Sequence, residues 1–121
     1  LDELARGLAA FATDLGSQMA QVTVVTMSEF GRRVKENASG GTDHGHGNAM
    51  LLLGGSVNGG RVYGTWPGLS SSTLFQGLDL AVTTDYRSVL AELAATRLGN
   101  PLLENVFPEF SYPGPLGLFR A

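Results

Sequence analysis

The sequence predicts an α/β fold with mainly parallel strands, and three observations lead to that prediction. An amphipathic helical pattern opens the chain, two short apolar runs follow at 22–26 and 49–55, and a second helical pattern lies beyond them. Strands that are apolar throughout, rather than alternating, are typical of parallel sheets covered by helices. A helix that leads into a buried strand is also the repeating unit of such folds.

Composition narrows the classes of protein to which the chain can belong. The 121 residues are 43% hydrophobic, which suffices for one modest core, and the absence of cysteine excludes disulfides and thiolate metal sites. The net charge of −3 and the scattered Lys and Arg residues exclude a nucleic-acid-binding surface. No apolar run approaches the roughly 18 residues of a membrane span. The opening LDELARGLAA carries acids and lacks the basic flank of a signal peptide.

The first predicted element is an amphipathic helix. Its apolar residues recur at spacings of three and four, which places them on one helical face, and Gly16 is suited to end the helix. These apolar residues are Leu1, Leu4, Leu8, Phe11 and Leu15. Because the chain opens inside this pattern without an initiator methionine, we expect residues 1–121 to be one portion of a larger α/β domain.

Two strands and the segment between them come next. The β-branched run 22–26 and the leucine-rich run 49–55 each predict a buried strand. Residues 28–48 show neither a strand nor a helix period and are rich in glycine, asparagine and charge, which predicts a long loop. This loop leaves the carboxyl end of the first strand, where open α/β sheets bind their ligands, so it is the candidate site loop.

The second helix has the clearest boundaries in the sequence. Thr84 or Asp85 can cap its start, and Gly99 followed by Pro101 ends it. Its predicted buried stripe consists of Tyr86, Val89, Leu90 and Leu93. The proline-containing tail 105–121 shows no helical period, and we expect it to wrap over the domain as extended chain.

The stretch GGTDHGHGN at 41–49 holds both histidines of the chain. Side chains two apart in extended chain point the same way, so His44 and His46 can converge on one divalent metal ion such as zinc. Asp43 can complete a mixed nitrogen and oxygen site or orient one imidazole. The alternative is a structural turn started by Asp43, in which both histidines hydrogen-bond to loop carbonyls or water. The residues of this stretch leave both interpretations open.

Two further residues follow the first predicted strand. Glu29 lies just beyond its end, a usual position for a ligand or catalytic carboxylate. The guanidinium of Arg32 can bind an oxyanion such as phosphate, sulfate or carboxylate through two hydrogen bonds. The alternative is an exposed loop in which Glu29 pairs with a neighbouring arginine. Both interpretations stay open at this point.

Three ordered blocks resemble a known bacterial family. VVTMSEFGRR, GGTDHGHGNAMLLLGGSVNGGRVYG and DLAVTTDYRSVLAELAATRLG are similar, in that order, to the C-terminal part of the domain of unknown function 1501 family. The resemblance covers roughly residues 22–110. Members are often labelled twin-arginine-translocated, so the resemblance implies an exported or periplasmic protein. The chain is accordingly expected to be the C-terminal portion of its domain.

The family is similar to the sulfatases and alkaline phosphatases, which implies a three-layer α/β/α sandwich with a metal centre. In that superfamily a strand ends in a Ser-Asp-His-Gly-like motif, and residues 28–31 occupy its place here. Glu29 can replace the aspartate ligand, whereas Phe30 cannot replace the histidine. A later loop supplies another histidine, at the position of the 43–46 stretch. The implied metal ligands are Glu29, Asp43, His44 and His46, with Arg32 clamping the oxyanion.

The resemblance implies one function and leaves an alternative. The first is an exported hydrolase of small phosphate or sulfate esters that uses a zinc-, calcium- or magnesium-like ion. Because the superfamily's nucleophile and first metal carboxylate belong to its N-terminal part, this chain is expected to be incomplete as a catalyst. The alternative, favoured by Phe30, is a non-catalytic sulfatase-like scaffold for binding or assembly. The apolar strands need neighbours, which predicts a homodimer through sheet edges or a cover formed by the tail.

Overall fold

A computed structural model describes residues 1–120 of the chain. Three α-helices, one 3-10 helix and four strands occur among these residues. In chain order they are α1 (Asp2–Leu15), the 3-10 helix (Gly16–Gln21), β1 (Thr23–Val25), β2 (Gly31–Glu36), β3 (Thr42–Gly45), β4 (Leu52–Gly54), α2 (Tyr86–Arg97) and α3 (Leu103–Val106).

The strands form two separate two-stranded sheets, and both are antiparallel. β1 pairs with β4, and β2 pairs with β3. The predicted part of a three-layer α/β/α sandwich of alkaline-phosphatase or sulfatase type with mainly parallel strands is therefore wrong, since residues 1–120 contain no parallel strand pair. The physical reason is the connection between β1 and β4. Parallel neighbours need a crossover, usually a helix, whereas a hairpin lies between these two strands and brings them together antiparallel.

The two sheets are nested into one interrupted ribbon. In the outer sheet, formed by β1 and β4, Thr23 is aligned with Gly54. In the inner sheet, formed by β2 and β3, Arg32 is aligned with His44. Between the two sheets, the backbone N–H of Thr26 donates to the carbonyl of Leu51 at 3.0 Å, so the segment after β1 stays beside the segment before β4. Residues 28–48, expected to be a loop, thus contain β2 and β3. A register irregularity between residues 32 and 36 breaks the regular alternation by which a strand is recognised in sequence.

The first helix follows its predicted pattern but buries none of its residues. It ends where Gly16 adopts a φ of 48°, a conformation that favours glycine. On the predicted apolar face, Leu4 is 44% and Phe11 is 45% exposed. The face is therefore largely open to solvent in the described chain. In agreement with the sequence prediction, no helix within residues 1–120 is long and apolar enough to cross a membrane.

The core lies between α2 and the end of the tail. Its buried side chains are Val57, Val89, Leu118 and Phe119. Asp85 caps α2 by accepting a hydrogen bond from the backbone N–H of Arg87 at 2.8 Å, one of the two predicted caps. The predicted stripe is wrong at Tyr86, which is 53% exposed. Ala91 and Ala94 are buried instead.

A buried carboxylate fastens the tail to this helix. Glu92 is 1% exposed, and it accepts hydrogen bonds from the backbone N–H groups of Leu116 at 2.5 Å and Leu118 at 2.6 Å. Phe119 then forms an antiparallel bridge with Val57. These contacts satisfy backbone donors that the core would otherwise leave without partners. The tail 105–121 begins inside α3, and residues 107–120 form neither a regular helix nor a strand. Leu118 and Phe119 enter the core, whereas Arg120 is exposed, and residue 121 lies outside the described residues.

Candidate functional site

The inner sheet brings Arg32 and His44 together. The two residues are aligned partners on β2 and β3, so their backbones are neighbours across the hairpin. The guanidinium of Arg32 donates from Nη1 to the carbonyl of Thr42 at 2.8 Å, and its central carbon lies 5.6 Å from the ring centroid of Phe30. Among residues 1–120, no carboxylate forms a salt bridge with Arg32. Its positive charge is therefore available to a ligand.

The two histidines rest on two different aromatic rings. His44 stacks on Phe30 with 3.6 Å between ring centroids and an interplanar angle of 22°. His46 stacks on Phe75 with 4.1 Å between centroids and an angle of 10°. Phe30 precedes β2, whereas Phe75 belongs to the long connection between β4 and α2. Each imidazole is thus held by a ring from a separate segment.

Asp43 is tied to the turn of the hairpin. Its Oδ1 accepts a hydrogen bond from Nδ2 of Asn37 at 2.9 Å. The carbonyl oxygen of the same amide accepts from the backbone N–H groups of Ser39 at 3.0 Å and Gly41 at 3.1 Å. Asn37 therefore organises the turn, in the way asparagine commonly does. The carboxylate of Asp43 stabilises that arrangement rather than orienting an imidazole.

Glu29 lies apart from these groups. It is exposed, and no hydrogen bond or salt bridge to it occurs in the described part of the chain. The alternative in which Glu29 pairs with a neighbouring arginine is also not seen, because Nε of Arg33 instead lies 3.5 Å from Oδ1 of Asp79. That oxygen is buried and has no hydrogen-bond partner within residues 1–120. The attraction of Arg33 is what compensates the charge of Asp79 in this position.

The side chains implied as metal ligands do not form a cluster in this structure. Within residues 1–120, no group of three or more histidine, aspartate or glutamate side chains is placed to hold one. Of the four implied ligands, Glu29, Asp43, His44 and His46, the two imidazoles stack on separate aromatic rings, and Asp43 accepts a hydrogen bond from Asn37. The divalent metal stays a prediction, and no chemical step is assigned to it.

One open cleft of the hairpin is lined by two arginines and a histidine. Its volume is about 480 Å³, and its lining is mainly polar. The lining residues are Arg32, Arg33, Thr42, Asp43 and His44. Two arginines and a histidine thus share the lining with one aspartate. Arg33 is already paired with Asp79, and Asp43 accepts from an amide, so Arg32 and His44 are the groups left for a ligand. Such a surface is suited to bind an anion through charge-assisted hydrogen bonds.

Three glycines keep the cleft in shape through close backbone contacts. A Cβ at Gly31 would overlap the carbonyl of Gly47, and one at Gly45 would overlap the backbone of Arg32. A Cβ at Gly47 would lie 2.6 Å from the carbonyl oxygen of Leu80. At these three positions the absence of a side chain therefore lets the chain pack closely on itself.

Sequence reasoning missed the residues that support the histidines. Phe30 was interpreted only as a lost ligand, although it carries the ring of His44. Phe75 and Asp79 belong to a connection without a periodic pattern, where no local signal indicates a partner. The backbone N–H of Gly47 donates to the carbonyl of Leu80 at 2.7 Å, which brings this connection to the hairpin. The contact is long-range, and for that reason it was not predictable from neighbouring residues.

Asp85, Arg87 and Tyr112 have shifted pKa values, and none of them lines the cleft. A hydrogen bond from the side chain of Arg87 lowers the pKa of Asp85, against a smaller opposing effect of burial. The same guanidinium lies 4.5 Å from the ring centroid of Phe110. Burial raises the pKa of Tyr112, and the negative charge of Glu92 adds to the effect. The ion pair at the start of α2 thus lowers the pKa of Asp85 and raises that of Arg87, whereas the pKa of Tyr112 is raised chiefly by burial.

The fold and the cleft define the class of the molecule. Residues 1–120 combine α-helices with antiparallel strands, and their β-ribbon carries a cleft that is lined by two arginines and a histidine, beside the ring of Phe30. A family profile described as "Protein of unknown function (DUF1501)" matches residues 1–100, so the chain belongs to this family. Neither a curated protein nor a solved structure matches the chain. The resemblance to the family is confirmed, whereas its relation to sulfatases and to twin-arginine export stays a prediction.

Proposed function

We propose that the cleft of the inner sheet binds the oxyanion of a small phosphate or sulfate ester. The observation that carries the proposal is the alignment of Arg32 with His44 at one open cleft. Arg32 lacks an acidic partner among the described residues, and the carbonyl of Thr42 fixes its guanidinium. A positioned guanidinium needs less ordering when it binds a ligand than a freely moving one does.

The geometry of Arg32 suits a tetrahedral anion. A guanidinium has five N–H donors, and the hydrogen bond to Thr42 uses one of them. The remaining donors can form two parallel hydrogen bonds to phosphate or sulfate oxygens. The imidazole of His44 lines the same cleft and can donate a further hydrogen bond from a ring nitrogen. The ring of Phe30 contacts both groups and keeps their positions.

Asp43 sets an upper limit on the affinity. Its negative charge lies on the wall of the same cleft, where it opposes an anionic ligand. Each charge-assisted hydrogen bond contributes about 1.5–3 kcal/mol, and part of this is offset by the lost motion of the ligand. We therefore expect a dissociation constant of about 1 mM for an inorganic anion, which corresponds to about −4 kcal/mol.

The proposal is tested by titrating the protein with inorganic phosphate and sulfate while backbone amide shifts are recorded by NMR. Shifts are expected at Arg32, Thr42 and His44, and Arg32→Gln is expected to weaken binding about tenfold or more, one lost charge-assisted bond. Arg61→Gln is the matched control, because Arg61 is an exposed arginine outside the cleft lining. Equal affinities of the two variants, or no binding by the unaltered protein, would refute the proposal.

Metal-dependent ester hydrolysis is a second candidate. It is favoured by the positions of Asp43 and His44 in β3 and of His46 directly after that strand. To bind a metal, each imidazole would have to leave its aromatic partner. This would cost about 0.5–1.5 kcal/mol, in addition to the effect of exposing the apolar surface that the two rings cover. That cost is small beside the binding energy of a structural zinc ion. Elemental analysis of the purified protein and of a His44→Ala/His46→Ala variant is the test. Stoichiometric metal that is lost in the variant would support this candidate, and absence of metal in both proteins would reject it.

An assembly role is the third candidate, and it is favoured by uncovered surfaces. Within residues 1–120, β1 and β4 each have only one partner strand, so the outer sheet has two open edges. The apolar face of α1 is also largely exposed. A homodimer through these edges would satisfy their backbone groups. Sedimentation velocity over a range of concentrations tests this role. At about 100 μM even a dimer with a micromolar dissociation constant would form, so a monomer at that concentration would reject the role.

A further inference from the structure

We infer that the ester bound by the cleft carries an apolar body, an aryl group or a short alkyl chain, attached to its anionic group. This inference rests on the proposed oxyanion site and adds the chemical class of the ligand. It is drawn from a second cavity that adjoins the first. Arg33 and Asp43 line both cavities, so one molecule can occupy the two together.

The second cavity differs from the first in the chemistry of its wall. The lining of the first is mainly polar, whereas the lining of the second is mainly apolar. Val34, Leu74 and Leu78 supply the apolar surface. Val34 is 36% and Leu78 is 47% exposed, so both side chains face solvent beside a charged cleft. Covering them with an apolar group would remove this surface from water, which is favourable.

Backbone contacts hold the apolar wall beside the charged one. The N–H of Val34 donates to the carbonyl of Leu78 at 3.1 Å, and Arg33 forms a bridge with Asp79. The segment that carries Leu78 is thereby fixed against β2. This fixed arrangement sets the distance between the anionic group and the apolar group of a ligand. Arg33, which lines both cavities, lies at the boundary between them.

The size of the second cavity limits the apolar body. Its volume is about 240 Å³. An apolar cavity of about 150 Å³ is large enough for benzene. A phenyl ring or a chain of a few carbons therefore fits, whereas a sugar would bring hydroxyl groups to a mainly apolar wall, where they would lose hydrogen bonds to water. We commit to a small soluble ester rather than a lipid phosphate.

The experiment compares phenyl phosphate with glycerol phosphate, two monoesters of equal charge, by calorimetric and NMR titration. Phenyl phosphate is expected to bind about 5- to 30-fold more tightly, the difference that burial of much of a ring produces. Leu78→Asn is expected to reduce this ratio to less than about twofold, since the apolar contact is lost. Leu98→Asn is the matched control, because Leu98 is 71% exposed at the end of α2 and outside both cavities.

A series of alkyl phosphates separates the small ester from a lipid. Affinity is expected to rise about fourfold per methylene and to stop rising once the cavity is filled, after a few carbons. Two results would refute a small soluble ester as the ligand. One is an affinity that continues to rise up to dodecyl phosphate, and the other is binding to phosphatidic acid vesicles that requires both Arg32 and Leu78. Amide spectra of each variant confirm that it is folded before its affinity is compared.

The two proposals fail in different ways. If inorganic phosphate does not bind the unaltered protein, the oxyanion site fails. If inorganic phosphate binds and Arg32→Gln weakens it, but phenyl and glycerol phosphate bind equally, the oxyanion site stands and the apolar body is refuted. A Leu78→Asn variant that keeps the full preference for phenyl phosphate refutes it as well.

Discussion

Replacing Glu92 with glutamine is expected to loosen the tail from α2. The carboxylate is buried, and its two oxygens accept from the backbone N–H groups of Leu116 and Leu118. Glutamine has nearly the same shape but only one accepting oxygen, so its NH2 group would face a backbone N–H. One of the two charge-assisted bonds would thus be replaced by two opposed donors.

The magnitude follows from these two bonds. Losing one hydrogen bond to a charged acceptor costs about 1.5–3 kcal/mol, and the remaining bond weakens because its acceptor is no longer charged. We expect Glu92→Gln to lower the free energy of unfolding by about 2–4 kcal/mol. Since small domains are stable by about 5–15 kcal/mol, this is a large fraction of the total.

Urea unfolding followed by circular dichroism measures this loss, and amide hydrogen exchange locates it. Glu104→Gln is the matched control, because Glu104 is an exposed glutamate in the first turn of α3. Faster exchange is expected at Leu116 and Leu118 in the Glu92 variant alone. The reasoning would be refuted by a loss no greater than that of the control, about 0.5 kcal/mol for a surface site, or by unchanged protection of these two amides.

Three further predictions concern titration and glycine packing. The pKa of Tyr112 is expected to lie above the ordinary value of 10.0, chiefly because of burial. Its contribution to stability is therefore full below pH 10 and is lost as pH rises through the raised pKa, and ultraviolet titration measures the ionisation. Because Arg87 lowers the pKa of Asp85 below 3.8, the contribution of this pair is present above pH 3.8 and is lost as pH falls through the lowered value, which acid unfolding of Asp85→Asn against the unaltered protein can detect. Gly47→Ala is expected to destabilise by about 1–3 kcal/mol, as overpacking does, whereas Gly7→Ala, with open space inside α1, is expected to stabilise by about 0.5–1 kcal/mol; thermal unfolding that ranks the two in the opposite order would contradict the packing argument.

The local elements were largely predictable from sequence. The spacing of apolar residues located α1, and the capping chemistry of Asp85 located the start of α2. The runs 22–26 and 49–55 contain β1 and β4. Their direction was not predictable, because it depends on what connects them. The connecting hairpin has an irregular register and mostly exposed residues, so it carries no alternating hydrophobic signal.

The candidate site was predictable only in part. Guanidinium chemistry singled out Arg32, and the structure places it opposite His44. The position of His46 was not predictable, because it is decided by Phe75, which lies 29 positions away in a connection without a pattern. Contacts across such distances depend on the path of the whole chain, whereas propensity and periodicity report only on neighbours.

The nested ribbon also has a consequence for the order in which the chain folds. Its innermost aligned pair, Glu36 with Thr42, is 42 − 36 = 6 positions apart, and its outermost pair, Thr23 with Gly54, is 54 − 23 = 31 positions apart. Closing the longer loop directly costs about 1.5 kcal/mol more in chain entropy. We therefore expect the inner hairpin to form first and the outer strands to zip onto it. Since every residue that lines the basic cleft belongs to the inner hairpin, an anion present during synthesis would favour the earliest step of folding.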